Sequence, residues 1–267
     1  MDAAAVASAP FDGLAGEYDR VFTDSRIGGA QRRLVWRVMD RVFQPGQHVL
    51  EINCGTGVDA ARLAGRGVSV WACDQSARMV EQARWRMRRV PAAGSAEVHV
   101  LAIEALQELQ PAERFDGVFS NFSGLNCVED LRAAAEQLAR LLRPAAPALL
   151  CVSGRWGGWE MAGLLAQGQL GKGLRRLRHG VVEARIAGAP IRVRYYCAPA
   201  LARRFAPHFR LLRWRGVGVA VPSSRWEPWA RRHPRLLTRM ERLDRHFGAW
   251  WGYRSLADHL LIELQRT

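Results

Sequence analysis

The stretch Val49-Leu50-Glu51-Ile52-Asn53-Cys54-Gly55-Thr56-Gly57 decides the fold: an apolar run carries an acid at its end, passes through a turn with two glycines and enters a helical stretch at 58–65. Strand, glycine turn and helix in that order turn backbone N–H groups and the positive end of a helix dipole toward a ligand. Glycine at 55 and 57 lets the backbone approach that ligand closely, where a Cβ would obstruct it. Asn53 stands where a third glycine is expected, and asparagine tolerates left-handed backbone better than other residues with a side chain. Thr56 and Asp59 lie at the helix start, where either can cap it. A second apolar run, 67–73, leads to Asp74, at about the 20-residue distance expected of an acid that grips a ribose diol.

The same rhythm continues along the chain. A helix over 27–43 precedes the first strand, and the expected order is then strand 48–53, helix 58–65, strand 68–73, helix 76–89 and strand 97–102. A short helix near 104–109, strand 115–121, helix 128–142 and strand 147–153 follow. Such alternation marks a parallel sheet with helices on both faces. Beyond Gly154 it loosens into a glycine-, tryptophan- and arginine-rich stretch that reads as a cap. Alternation at 191–196, a helix at 199–205, a strand at 209–221, a basic helical segment at 223–254 and a closing strand at 259–264 complete the chain. Four parts are expected: an N-terminal segment 1–26 covering the site, a core 27–153, a cap 154–195, and a C-terminal part of the core, 196–267, with the basic helical insertion 223–254.

The 267 residues are 49% apolar, ample for a globular core. Residues 1–150 hold 17 Arg against 18 Asp and Glu, whereas 151–267 hold 22 Lys and Arg against 7 acids. The whole positive excess therefore sits in the second half. It suits phosphate, a carboxylate-bearing substrate or an anionic membrane surface, or simply forms a solvated face. Because only Lys172 among the 39 basic residues is lysine, the arginine richness reads as codon composition. Five scattered cysteines without a C-x-x-C pair read as buried thiols in a reducing compartment. The start lacks a basic n-region, and no apolar run approaches about 18 residues, so a cytoplasmic protein is expected, with peripheral membrane contact open to the basic half. No two of the seven histidines have metal-ligand spacing, so no metal is inferred.

Gly55-x-Gly57-x-x-Ala60 also fits a dinucleotide fingerprint. Glu51 separates the two readings, since an acid at the strand end suits an ammonium group and sits badly beside a pyrophosphate. Together, Glu51-x-Asn53-x-Gly55-x-Gly57, Asp74 and Phe115-Asp116-Gly117-Val118-Phe119-Ser120-Asn121-Phe122 resemble the motifs of class I S-adenosylmethionine-dependent methyltransferases. Phe11-Asp12-x-x-Ala15-x-x-Tyr18-Asp19 is similar to the start of the ubiquinone/menaquinone-type, small-molecule branch. The resemblance covers about residues 11–153. It implies an α/β fold: a Rossmann-like seven-stranded, mostly parallel sheet with helices on both faces, a cap insertion after the fifth strand and a helical insertion before the last.

By this resemblance Glu51 and the turn residues Asn53, Cys54, Gly55 and Gly57 hold the methionine end of S-adenosyl-L-methionine, and Asp74 holds the ribose hydroxyls. Gln75 and Met79 surround the adenine, Tyr18 covers the cofactor, and Asn121 and Phe122 face the transferable methyl. The Asp-Ala pair common after the third strand is replaced by Ala102-Ile103, which leaves Ile103 between adenine contact and core. Asn126 either contacts substrate or caps the helix that follows, and Trp159, Tyr195 and Tyr196 either wall an acceptor pocket or pack the cap on its own core.

Methyl transfer from a sulfonium is an in-line displacement in which the protein chiefly aligns reactants, so the absence of a catalytic triad is no objection and no catalytic residue is assigned. The Asn-Pro-Pro-aromatic motif used on exocyclic amines of bases is missing after Ser120. The expected reaction is therefore methylation of a small, hydrophobic acceptor such as a quinone, lipid precursor or secondary metabolite. An RNA methyltransferase using the basic half, a catalytically inactive cofactor-binding partner and a nicotinamide oxidoreductase stay open.

Overall fold

The computed structural model describes residues 9–90, 93–186 and 189–267. Residues 1–8 of the expected N-terminal segment lie outside them. Seven strands form one sheet: β1 (His48–Ile52), β2 (Ser69–Asp74), β3 (Ala96–Val100), β4 (Gly117–Ser120), β5 (Pro147–Ser153), β8 (Phe209–Val217) and β9 (His259–Arg266). A separate hairpin pairs β6 (Val182–Ile186) with β7 (Ala189–Val193). The sheet order is β3-β2-β1-β4-β5-β9-β8. The first five strands run parallel, and β9 is antiparallel to both its neighbours. The strand order reverses at β1 and β4, which opens a crevice at their carboxyl ends.

Both faces of the sheet are covered because the strands alternate only between apolar residues for one side and apolar residues for the other. Leu50 and Ile52 of β1, Leu150 of β5 and Ile262 of β9 pack with Leu138 of the Leu131–Leu141 helix and Leu201 of the Ala198–Phe205 helix. Val49, Phe119, Leu149 and Leu261 face the other way, onto Val35 and Met39 of the Arg26–Val42 helix and Leu63 of the Val58–Gly65 helix. Each such fully buried side chain contributes about 1.5–3 kcal/mol.

Several boundaries move for identifiable reasons. The helix expected from 128 begins at Leu131, since Asp130 caps it by accepting from the N–H groups of Arg132 and Ala133. The strand expected to reach 221 stops at Val217, where Gly218 turns at φ 75° and the next three N–H groups leave the ladder for the Asp244 carboxylate. Pro234 divides the basic segment into the helices Glu227–Arg232 and Pro234–Phe247. The cap contains the helix Gly158–Ala166 and, more informatively, the β6–β7 hairpin, which starts before the alternation at 191–196. No helix of the described residues is long and apolar enough to cross a membrane.

Candidate active site

A cavity of about 320 Å³ opens where β1, β2 and β4 end. That volume lies within the roughly 300–1,000 Å³ range of small-molecule sites. The floor at one end is Asn53, Gly55, Asp74 and Asn121. Its turn is strained in a revealing way. Asn53, Phe122 and Ser123 are three of the four non-glycine residues with positive φ among those described, and all three line the cavity. Left-handed backbone at a side-chain-bearing residue costs on the order of 1 kcal/mol or more and collects at functional sites.

Gly55 and Gly57 do different work. At Gly55, φ 54°, a Cβ would meet nothing within 4 Å, so the space in front of it is free. At Gly57, φ 73°, a Cβ would lie 2.7 Å from the Cβ of Ala83, so this glycine serves helix packing. Neither Thr56 nor Asp59 caps the helix, whose N-cap Gly57 has no side-chain hydrogen bond. Thr56 Oγ1 instead donates to Asp19 (2.7 Å), while Asp59 is the centre of a buried network. Asp59 accepts from Arg32 Nη1 (2.6 Å), Trp36 Nε1 (2.6 Å) and Asn121 Nδ2 (2.9 Å). Arg32 lies over the Phe122 ring, 4.9 Å from its centroid, and its Nε has no partner among the described residues. Arg32 and Asp59 line a small recess that shares Tyr18, Asn53 and Gly55 with the cavity. Sequence reading missed both residues: an acid in a first helical turn reads as a cap, and a lone arginine in an arginine-rich chain carries no signal.

The carboxylates of the site are kept apart by environment. Burial, reinforced by Asp59, holds the Glu51 carboxyl well above the usual range against the pull of Arg32, and its Oε2 is buried without a hydrogen-bond partner among the described residues. Asp74 is also raised by burial, although its oxygens accept the N–H groups of Gly55 and Ser76, each at 2.9 Å. Two such bonds leave lone pairs free for hydroxyl donors. Tyr18 is pushed up to about 12, chiefly by burial, so its phenol stays protonated.

The N-terminal turns roof the cavity with Phe11, Leu14 and Tyr18. Their intervening aspartates hold them down: Asp12 accepts from Ser76 Oγ, and Asp19 pairs with Arg86 as well as Thr56. The other half of the roof is the hairpin, which supplies Ala184, Ile191 and Val193, with Tyr195 and Arg175 beside them. Asn126 ties this roof to the sheet. Its side chain donates to the carbonyls of Ser153 and Arg194 and accepts from Ser153 N, so it is a strap that also lines the cavity, and the capping role belongs to Asp130. Glu160 bridges Arg175 and Arg176, and Arg176 continues to Asp258.

Of the residues expected around the cofactor, Tyr18, Asn53, Gly55, Asp74, Gln75, Met79, Asn121 and Phe122 come together on the cavity wall, and Cys54 lines the adjoining recess. Glu51 and Ile103 are buried behind the wall, Ile103 within the core cluster of Leu50 and Leu106. Among the acceptor candidates, Asn126 and Tyr195 line the cavity. Trp159 and Tyr196 do not: Trp159 donates to the Val219 carbonyl and packs on Trp226, and Tyr196 is buried in the core.

Comparison with known proteins fits this architecture. Residues 49–145 match the family model described as a methyltransferase domain. The chain is 33% identical over 147 residues to a demethylmenaquinone methyltransferase of Clavibacter sepedonicus, covering 54% of this chain and 56% of that one. It is 32% identical over 117 residues to an O-methyltransferase of Pyrenophora dematioidea, with 43% of each covered. The chain thus spans about half the length of the curated relatives it matches. The crystal structure of magnesium protoporphyrin IX methyltransferase from Synechocystis PCC 6803 with bound SAH superposes with a TM-score of 0.60 at 17% identity, over 100% of both chains. The fold is therefore that of the S-adenosylmethionine-dependent methyltransferases. Within that fold, residues 49–145 are similar in sequence to a methyltransferase domain.

Proposed function

We propose that the protein transfers a methyl group from S-adenosyl-L-methionine to a small, hydrophobic acceptor. The observation that carries this reading is one continuous cavity that joins the glycine turn and Asp74 to an apolar chamber under the hairpin. The donor fits the residues present. Glu51 keeps an unsatisfied carboxyl oxygen just behind the wall, where an ammonium group in the turn would draw on it, and Arg32 has an unpartnered Nε on the recess side. A zwitterion matches that pair better than a pyrophosphate does, which argues against the nicotinamide alternative. Open space before Gly55 and spare lone pairs on Asp74 suit a ribose approaching closely.

When bound, the cofactor supplies the activated methyl. The chain's own work is alignment. Asn121 is fixed by Asp59, and Phe122 by the positive φ of its backbone and the Arg32 guanidinium on its ring. Phe11, Leu14, Ile191 and Val193 exclude water and enclose an apolar acceptor, while the Tyr195 hydroxyl can bond its polar group and Asn126, its amide hydrogens already committed, can only accept. Holding two reactants in line can contribute on the order of 7–11 kcal/mol. The double roof supports a free small molecule over a base carried in RNA.

Calorimetry with S-adenosylmethionine and S-adenosylhomocysteine is the first test, and absence of binding to both overturns the reading. Asp74→Ala should abolish that binding with the fold retained, so full affinity would remove Asp74 from the ribose site. Incubation with methyl-labelled cofactor and fractionated cell extract should then place the label in an apolar small molecule; label in RNA would favour the second reading, and none in any fraction the inactive partner.

A further inference from the structure

The basic segment 223–254 plays no part in the cavity, yet its charges are sorted with unusual consistency. It carries three acids, and each is spent inward. Glu227 accepts from the backbone N–H groups of Arg26 and Ile27, Glu241 takes both prongs of the Arg33 guanidinium, and Asp244 caps the backbone at 219–221 and accepts from Tyr253. The arginines of the Pro234–Phe247 helix point the other way. On the Pro234–Phe247 helix, Leu237 and Asp244 are buried, while Arg235, Arg239, Arg242 and Arg245 are exposed and make no ion pair among the described residues. At 100° per residue these four span one outer arc.

Apolar side chains border the same arc. Leu236 and Leu243, seven residues apart and so on one edge of the helix, are 42% and 47% exposed. The turn that follows the helix presents Trp250 and Trp251, the latter 90% exposed. Single exposed apolar side chains are ordinary on a soluble surface, but four of them beside one cationic arc form a patch, and tryptophan with arginine is the pairing favoured where water meets lipid. A shallow polar notch lined by Arg33, Thr238, Glu241, Arg242 and Arg245 lies along the helix, with room for a phosphate headgroup.

From this sorting we infer that the Pro234–Phe247 helix and the Trp250-Trp251 turn form a docking face for an anionic lipid bilayer, with the arginines on the headgroups and the leucines and tryptophans entering the interface. A nucleic acid would use the cations equally well but leaves the exposed leucines without a role. The face holds the protein on the membrane surface, since no described helix crosses it.

Flotation of the full chain with vesicles tests this. Binding is expected to vesicles of phosphatidylcholine mixed with phosphatidylglycerol, to weaken with salt, and to be absent on phosphatidylcholine alone. Removing three cations in Arg235→Gln/Arg239→Gln/Arg242→Gln should lower affinity roughly a hundredfold, on the usual contribution of a cation at an anionic surface. Trp250→Ser/Trp251→Ser should lower it at least tenfold and lose part of the fluorescence quenching by brominated lipid. Both variants should stay folded and keep wild-type S-adenosylhomocysteine affinity, because the altered residues are exposed and none lines the cavity. No binding to anionic vesicles, or equal binding by the folded variants, overturns the inference. So does RNA that displaces the protein from vesicles and is bound equally by the tryptophan variant, which would assign the face to nucleic acid.

Discussion

Alanine at Gly57 and alanine at Gly55, made one at a time, should separate folding from ligand binding within a single turn. At Gly57 the left-handed φ of 73° costs a side-chain-bearing residue about 1–2 kcal/mol. The added Cβ also comes within 2.7 Å of Ala83 Cβ and 3.1 Å of its Cα, and backbone cannot swing aside as a long side chain can. Forcing that contact adds about 1–3 kcal/mol, so Gly57→Ala should lose roughly 2–5 kcal/mol. For a chain of this size about 2–4 °C accompanies each kcal/mol, and a Tm drop on the order of 10 °C is expected. Gly55→Ala carries only the backbone cost, about 1–2 kcal/mol, because its Cβ meets no protein atom within 4 Å. Its methyl occupies the ligand's space, so the affinity for S-adenosylhomocysteine should fall at least tenfold. Thermal unfolding followed by circular dichroism and titration calorimetry read the two effects. A Gly55→Ala protein as unstable as Gly57→Ala, or one that binds with wild-type affinity, would refute the division of labour.

Three further outcomes are expected. Glu51 is raised by burial, and an ammonium beside it would bring it back down, so binding should release a proton; affinity should then climb with pH from the ordinary glutamate range near about 4.3 until the carboxyl ionises in the free protein. Calorimetry in buffers of different ionisation enthalpy reads the proton, Glu51→Gln should abolish its release, and pH-independent wild-type binding would sink the idea. Arg32→Met or Asp59→Leu alone strands a buried charge and should cost about 3–5 kcal/mol. The double variant should lose less than either single, whereas additive losses in denaturant unfolding would mean the pair is not coupled. Asp244→Ala deprives three backbone N–H groups of their acceptor at about 1–2 kcal/mol each, and hydrogen exchange at 219–221 should accelerate; protection left unchanged would count against it.

The half of the molecule built on alternation was legible because a buried parallel strand must be apolar on both faces, and the glycine turn because its backbone tolerates few residues. What stayed hidden has no local signature. The β6–β7 hairpin is a two-stranded piece in a glycine-rich stretch, held by the fold around it and not by its own pattern. Asp59 and Arg32 lie 27 residues apart and meet only when the Arg26–Val42 and Val58–Gly65 helices pack on one face of the sheet. Trp159 looked like a pocket wall because tryptophan suits both a ligand and a core, and only its bond to Val219 separates the two. Phe11-Asp12 and Tyr18-Asp19 are a different case. Their spacing was visible, but the reason for it, aromatic residues facing the cavity and aspartates fastening them from outside, needed Ser76, Thr56 and Arg86 in place.

Ser153 at the end of β5 stands directly opposite His259 at the start of β9. Between them the chain leaves the sheet for the hairpin and the Ala198–Phe205 helix, returns to its edge as β8, and leaves again through the arginine-lined segment before β9. Because closing a loop costs only about 0.6 kcal/mol for each doubling of its length, the cap between Ser153 and Tyr196 can be enlarged at small entropic penalty. The residues proposed to hold the donor sit on strands the cap never interrupts. A chimera that kept residues 9–153 and 196–267 while importing another cap between them would therefore inherit the reagent and change the customer.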